Sequence, residues 1–211
     1  MNIFKSLGAT ADSRVIAHAV DALRDGQVII YPTDTFYAFG CDALNNRAIE
    51  RLCRIKDINP DKQLLSVVVD SLSTGAEYAR IDNRAFRYLK DYLPGPFTFV
   101  LPAATKLPKA FKGRKSVGLR LPDSVFARAL AQEFGAPILT SSVTADDIDI
   151  ANPEAIAMHF GHLRDIALLV DAGEGGREGS TVVDLTDSTS PEILRQGVGD
   201  IEPVSYTHLR A

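Results

Sequence analysis

The feature that most constrains this chain is the alternation, from near one end to the other, of short β-branched apolar runs with stripes of helical period. Val15, Ile16, Ala19, Val20 and Leu23 share one helical face, with Asp12 or Ser13 as cap and Gly26 as stop. Val28 to Tyr31 is a continuous apolar run closed by Pro32, the pattern of a strand buried on both faces. A helix is expected from about Asn46, with Ala48, Ile49, Leu52 and Cys53 on one side, turning at Asn59-Pro60-Asp61 before a strand over Leu64 to Val69. Asn83 opens a helix that Pro94-Gly95-Pro96 must end, because proline supplies no donor and drives its predecessor out of the helical region. "FTFVL", Ser116 to Arg120 and Ile138 to Ser141 read as strands. Helices capped by Asp123 and Asn152 follow the last two and stop at Gly135 and Gly161. Strands over Leu168 to Val170, Thr181 to Leu185 and Ile193 to Leu194 complete the series. Interleaving of this kind predicts an α/β fold in which helices cover a mixed, twisted sheet.

Composition adds bounds. With 211 residues, 45% of them apolar and spread evenly, no linker-like stretch and no repeat, residues 1–204 are expected to form one domain. The terminal "SYTHLRA", 205–211, lacks any apolar period and is read as a non-native-looking or disordered tail. A net charge of −4 argues against a generic polyanion binder. Locally, Lys106, Lys109, Lys112, Arg114 and Lys115 place five positive charges within ten residues, either a solvated loop or one that meets phosphate or RNA. Cys41 and Cys53 match no zinc or redox spacing and read as reduced core residues. The start carries no signal-peptide core and no run is long enough to span a membrane, so the expected location is the cytoplasm. Four histidines without acids or cysteines at ligand spacing argue against a protein-held metal.

Ligands of open α/β sheets gather beyond strand carboxyl ends, and three stretches fall at such places. "PTDT" follows Tyr31, "TSSVT" (140 to 144) overlaps a strand end, and Arg120 closes "SVGLR". Hydroxyls from two loops and one guanidinium suit a carboxylate or a phosphate. Each stretch also has a structural reading: Thr33 and Asp34 as turn residues, Arg120 in a surface ion pair, Ser141 and Ser142 as turn residues, and Lys56 as a cation at a helix carboxyl end. "GEGGREGST" lacks the Lys of a phosphate-binding P-loop, and neither a dinucleotide-binding GxGxxG nor a GxSxG nucleophile elbow is present.

Taken in order, "YPTDTFYAFGCDA", "RLCRIKDINPDKQLLSVVV", "PGPFTFVLPA", "SVGLRLP", "PILTSSV" and "STVVDL...EILRQGVGD" resemble the YrdC-like family over nearly the whole chain, with most similarity to its YciO subgroup. The resemblance implies a single YrdC-like domain, a twisted mixed β-sheet with flanking helices and a concave, often basic groove. It also implies kinship with threonylcarbamoyl-AMP synthases, nucleotidyltransferases that condense ATP, L-threonine and bicarbonate for tRNA modification, ATP entering as substrate with Mg²⁺. Double-stranded RNA binding is attributed to the family as well, so structured RNA, tRNA or rRNA, is the alternative partner, with a plain nucleotide sensor as a third possibility. Residue by residue, the resemblance puts Thr35, with Thr33 beside it, at the threonine-contacting motif and Lys56 at the ATP phosphates. It puts Arg120, catalytic together with Lys56, at the threonine carboxylate, Ser142 at both substrate and nucleotide and Thr144 at the nucleotide in an SxN motif, Ser180 at the substrate, and Arg195 at the nucleotide. Two motif positions depart: Ile58 stands where the family has arginine, and Thr144 where it has asparagine.

Overall fold

A computed structural model describes residues 1–8, 10–59, 66–104 and 115–201. The described elements are β1 (Asn2–Lys5), α1 (Ser13–Arg24), β2 (Val28–Tyr31), β3 (Ala38–Asp42), α2 (Asn46–Ile55), β4 (Ser66–Val68), α3 (Leu72–Tyr78) and α4 (Asn83–Tyr92). They continue with β5 (Phe97–Pro102), β6 (Ser116–Arg120), α5 (Val125–Phe134), β7 (Ile138–Ser142), α6 (Pro153–Phe160), β8 (Ile166–Asp171), β9 (Thr181–Asp184) and β10 (Glu192–Arg195). All ten strands join one sheet in the order β1-β8-β2-β3-β7-β4-β6-β5-β9-β10. The sheet is mixed: β8 runs parallel to β1 and β2, β4 to β6 and β5 to β9, while the remaining neighbours are antiparallel.

The α/β expectation holds, with local differences. β1, β3 and α3 were not anticipated. The helix after β6 is capped by Ser124, whose Oγ accepts the Ala127 N–H, rather than by Asp123. Asp123 instead donates its backbone N–H to Asp34 Oδ2 at 2.9 Å. Only Ser66–Val68 of the strand expected over Leu64 to Val69 is described as β4, and residues 60–65 lie outside the described residues. The basic segment apart from Lys115, and the tail, also lie outside them.

Strand alternation sorts side chains onto two faces. On one, Val28, Ile30, Phe39, Cys41, Val67, Phe99, Leu119, Leu139 and Val183 meet Ile49 and Leu52 of α2, Leu89 of α4 and Ile156 of α6 in one core. Both cysteines are buried there outside any disulfide, and desolvation pushes the Cys41 thiol well up. On the other face, α1 and α5 pack over Ile29, Tyr31, Ala38, Leu168 and Val170, and this second core ends at Val68 and Ile138. From there the same face turns polar. Ser66 sits beside Gly118 and Thr140 in register, and Thr98 and Ser142 alternate onto the same side. Apolar cover therefore positions a stripe of hydroxyls across the middle strands.

Candidate functional site

The loop after β2 is held by its own hydroxyls. Thr33 Oγ1 donates to Phe36 O at 2.6 Å and accepts the Thr35 N–H at 3.1 Å. Thr33 thus spends its only proton on a carbonyl, so the 3.1 Å contact between the two threonine hydroxyls runs from Thr35 to Thr33. Thr35 Oγ1, buried, is left as an acceptor and takes Arg120 Nη2 at 3.2 Å. A directed chain results, from guanidinium to Thr35 to Thr33 to backbone. The same Arg120 Nη2 lies 3.0 Å from Asp34 Oδ1, and both side chains of this ion pair are over 90% buried. The pair is an interior one, not the surface pair that a lone arginine before Leu121-Pro122 suggests. The buried Nε–H of Arg120 has no partner among the described residues.

Lys56 belongs to a helix terminus with a defined geometry. It is the C-cap of α2. Asp57 follows at φ 50°, and the N–H groups of Asp57 and Ile58 return to Arg54 O and Cys53 O, which is a Schellman motif. Such a motif closes on a hydrophobic contact by its last residue, and Ile58 packs against the core. Ile58, where the resemblance leads one to expect an arginine, therefore serves helix termination. The Lys56 amine reaches Ser142 O at 3.0 Å and Thr144 Oγ1 at 2.5 Å, and lies 5.8 Å from the centre of the Phe39 ring. Partial burial lowers its pKa from the ordinary lysine value.

The third group stands at β9 and β10. Ser180 Oγ and Thr98 Oγ1 are 2.8 Å apart and both buried, and Arg195 donates Nε and Nη2 to Ser180 O at 3.2 and 2.9 Å. The three groups meet at the loop of residues 33–37. Gly176 N–H bonds Thr35 O at 2.9 Å, and Gly179 lies between Phe36 and Arg195. Val143 N–H bonds Tyr37 O at 2.8 Å, tying in the strand that carries Ser142. Gly176 has to be glycine, because a Cβ would collide with the Thr35 carbonyl. Thr33 also borders a cavity of about 240 Å³ formed with Ser6, Tyr37 and Ser124, and Lys56, Arg120, Ser142, Thr144, Ser180 and Arg195 all lie outside it.

Seven of the eight predicted side chains thus fall into linked clusters, Thr33, Thr35 and Arg120; Lys56 and Thr144; Ser180 and Arg195; Ser142 joins the second through its backbone carbonyl. Sequence reasoning passed over Asp34 as the arginine's partner and Thr98 as the serine's. The first could have been suspected from an acid placed between two candidate threonines. The second carried no signal, since Thr98 sits inside an apolar strand. Among the described residues no group of three or more His, Cys, Asp or Glu could hold a metal, and no helix is long and apolar enough to cross a membrane.

Comparison with known proteins gives consistent matches. The profile of the family named for Sua5, YciO and YrdC, described as "Telomere recombination", matches residues 21–197. The chain is 37% identical over 194 residues to the uncharacterized protein YciO of Escherichia coli K12, covering 90% of this chain and 92% of that one. A crystal structure of E. coli YciO superposes with a TM-score of 0.87 at 35% identity, over 96% and 99% of the two chains. Threonylcarbamoyl-AMP synthase of Bos taurus is 35% identical over 188 residues, 85% of this chain and 66% of its own. The crystal structure of P. abyssi Sua5 complexed with L-threonine matches with a TM-score of 0.84 at 28% identity, covering 93% of this chain and 58% of that one.

Proposed function

The chain belongs to the Sua5, YciO and YrdC family, and on that footing we propose that it is an adenylate-forming nucleotidyltransferase of the threonylcarbamoyl-AMP synthase type. Its substrates are ATP with Mg²⁺, L-threonine and bicarbonate, and its product serves tRNA modification. The observation that carries the reading is the directed chain from Arg120 through Thr35 to Thr33, with a buried guanidinium N–H left over, next to a second cluster built on the Lys56 amine.

In this reading Arg120 holds the threonine carboxylate by a charge-assisted hydrogen bond from its unpartnered Nε–H, and Thr35, whose Oγ1 accepts from Nη2, lines the threonine site and fixes the guanidinium. Threonine and bicarbonate combine with loss of water to give the carbamate. A carbamate oxygen then attacks the α-phosphorus of ATP, the bond from that phosphorus to the bridging oxygen breaks, and pyrophosphate departs with the negative charge. Lys56 faces the phosphates, where a fixed cation stabilises charge that develops during transfer, while Ser142, Thr144 and Arg195 orient the nucleotide and Ser142 and Ser180 contact the substrate. Mg²⁺ arrives with ATP and neutralises phosphate charge. Pyrophosphate release should require ATP, threonine and bicarbonate together. Release no faster than that of Lys56→Ala would reject catalysis.

One observation favours a second reading. A half-buried Ile58 packs against the core at the position where the resemblance implies an arginine, so that side chain supplies no cation there. A non-catalytic protein that binds structured RNA would tolerate that loss. Its affinity would fall steeply between low and physiological salt and would fall again on charge reversal of Lys109, Lys112 and Lys115. Salt-independent binding rejects this alternative.

A further inference from the structure

Phe36 is a large aromatic residue that neither core claims. Tyr37 and Phe39 of the same stretch are buried in the first core, whereas Phe36 is half-buried and packs into neither apolar cluster. Its backbone has little freedom. Phe36 O accepts the Thr33 hydroxyl at 2.6 Å, and the residues on either side are tied down by Gly176 N–H on Thr35 O and Val143 N–H on Tyr37 O. The ring stands against Gly179, where a Cβ would lie 3.1 Å from the Phe36 ring and 3.3 Å from Arg195 Nη2. The φ of Gly179 is outside the left-handed region, so the glycine supplies room there rather than backbone freedom. Arg195 is held in turn by its Nε and Nη2, both on Ser180 O. An aromatic ring and a planar cation therefore converge on one point above bare backbone. Both are groups on which nucleobases stack. Of ATP, threonine and bicarbonate, only ATP carries a flat aromatic surface.

We infer that Phe36, with Arg195 beside it, is the stacking platform for the nucleobase of ATP, so that the site takes the nucleotide by its base as well as by its phosphates. The inference rests on the reading of the Ser180 and Arg195 cluster as part of a nucleotide site. Phe36 is a positioning residue, because a stacked base is held without contact to the reacting atoms. Stacking needs a flat π face, which an aliphatic side chain of similar bulk does not offer. A merely structural ring would weaken every ligand when it is lost.

The test is calorimetric binding of ATP and of inorganic tripolyphosphate, each with Mg²⁺, to the wild type, Phe36→Leu and Phe36→Tyr. Phe36→Leu should lose about fivefold to a hundredfold in ATP affinity, the range for one base stacked on an aromatic side chain, with tripolyphosphate binding unchanged. Phe36→Tyr keeps the ring and should keep ATP affinity. Unchanged ATP affinity in Phe36→Leu, an equal loss for both ligands, or a loss by Phe36→Tyr as large as that by Phe36→Leu overturns the inference and leaves the nucleotide reading standing. A wild type that binds neither ligand overturns the inference and the nucleotide reading together. Should Phe36→Leu fail to fold, the wild type decides alone: AMP should bind at least about fivefold tighter than ribose 5-phosphate, and the absence of that preference overturns the inference.

Discussion

Ile58→Arg is the substitution that family membership invites, and the structure says that it has a cost. Ile58 closes the Schellman motif after α2, with its N–H on Cys53 O at 3.0 Å and its side chain against the core. Full burial of an isoleucine side chain is worth about 1.5–3 kcal/mol. Ile58 is half-buried, so about half of that is at stake. The methylene stem of an arginine recovers part by lying along the same surface while its head reaches water. The net loss should be about 1 kcal/mol, which for a domain of this size lowers Tm by about 2–4 °C. Thermal unfolding followed by circular dichroism, supported by urea titration, measures it. A variant that melts at or above the wild-type temperature refutes the packing argument. The functional half of the prediction adds Thr144→Asn, which returns an amide next to the Lys56 amine. If these two positions limit turnover, the double variant should release pyrophosphate about tenfold to a thousandfold faster. A folded double variant that binds ATP with unchanged, negligible turnover would show that they do not, and would favour RNA binding.

Further expectations follow from the same contacts. Arg120→Met leaves the Asp34 carboxylate buried without its cation and should cost about 3–5 kcal/mol in urea unfolding; a loss under about 1 kcal/mol would mean that the pair is dispensable. Tyr31 is fully buried and its phenol is pushed up to about 12, chiefly by desolvation. Because the folded value lies above the unfolded one near 10, the stabilisation is complete below about pH 10 and is lost as pH rises toward 12, a change on the order of 2–3 kcal/mol. Tyr31→Phe should remove that alkaline loss while costing about 1 kcal/mol at neutral pH through its hydrogen bond to Thr140, and parallel pH profiles for the two proteins would refute the assignment. Asp57→Gly relieves a left-handed residue at φ 50° and should raise stability by about 0.5–1 kcal/mol; destabilisation would show that the Asp57 side chain has a role of its own.

The strands that sequence made legible are those whose burial is written in their own residues, such as Val28–Tyr31, apolar at every position and buried throughout. β3 was hidden because its neighbour supplies the packing. Gly40 has no side chain, and the Tyr31 ring fills the space, so that a Cβ at Gly40 would lie 2.7 Å from that ring. α3 was hidden by Gly75 and its flanking Ser and Thr, weak helix formers kept because a Cβ at Gly75 would press on Leu119 at 2.9 Å. The short edge strand β1 offers one pairing and little burial, hence little pattern. At the site, side-chain types were legible: hydroxyls after strands, one arginine, one lysine at a helix end. The partnerships were not. Asp34 meets Arg120 across 86 positions, and Thr98 meets Ser180 across 82, and tertiary pairings at such separation leave no local signal. The departure at Ile58 looked like a loss of function in the sequence and became a helix terminus once the backbone hydrogen bonds of Asp57 and Ile58 were known.

The central claim is that the threonine–arginine cluster and the lysine cluster act on one substrate pair, joining carbamoylated threonine to the α-phosphate of ATP. Mass spectrometry of a single-turnover mixture of the protein, ATP, L-threonine and ¹³C-bicarbonate tests it most directly. The account predicts a labelled threonylcarbamoyl adenylate that forms with the wild type, is lost without any one substrate, and is lost with Lys56→Ala. Absence of labelled adenylate from the folded wild-type protein, or its equal formation by Lys56→Ala, would contradict it.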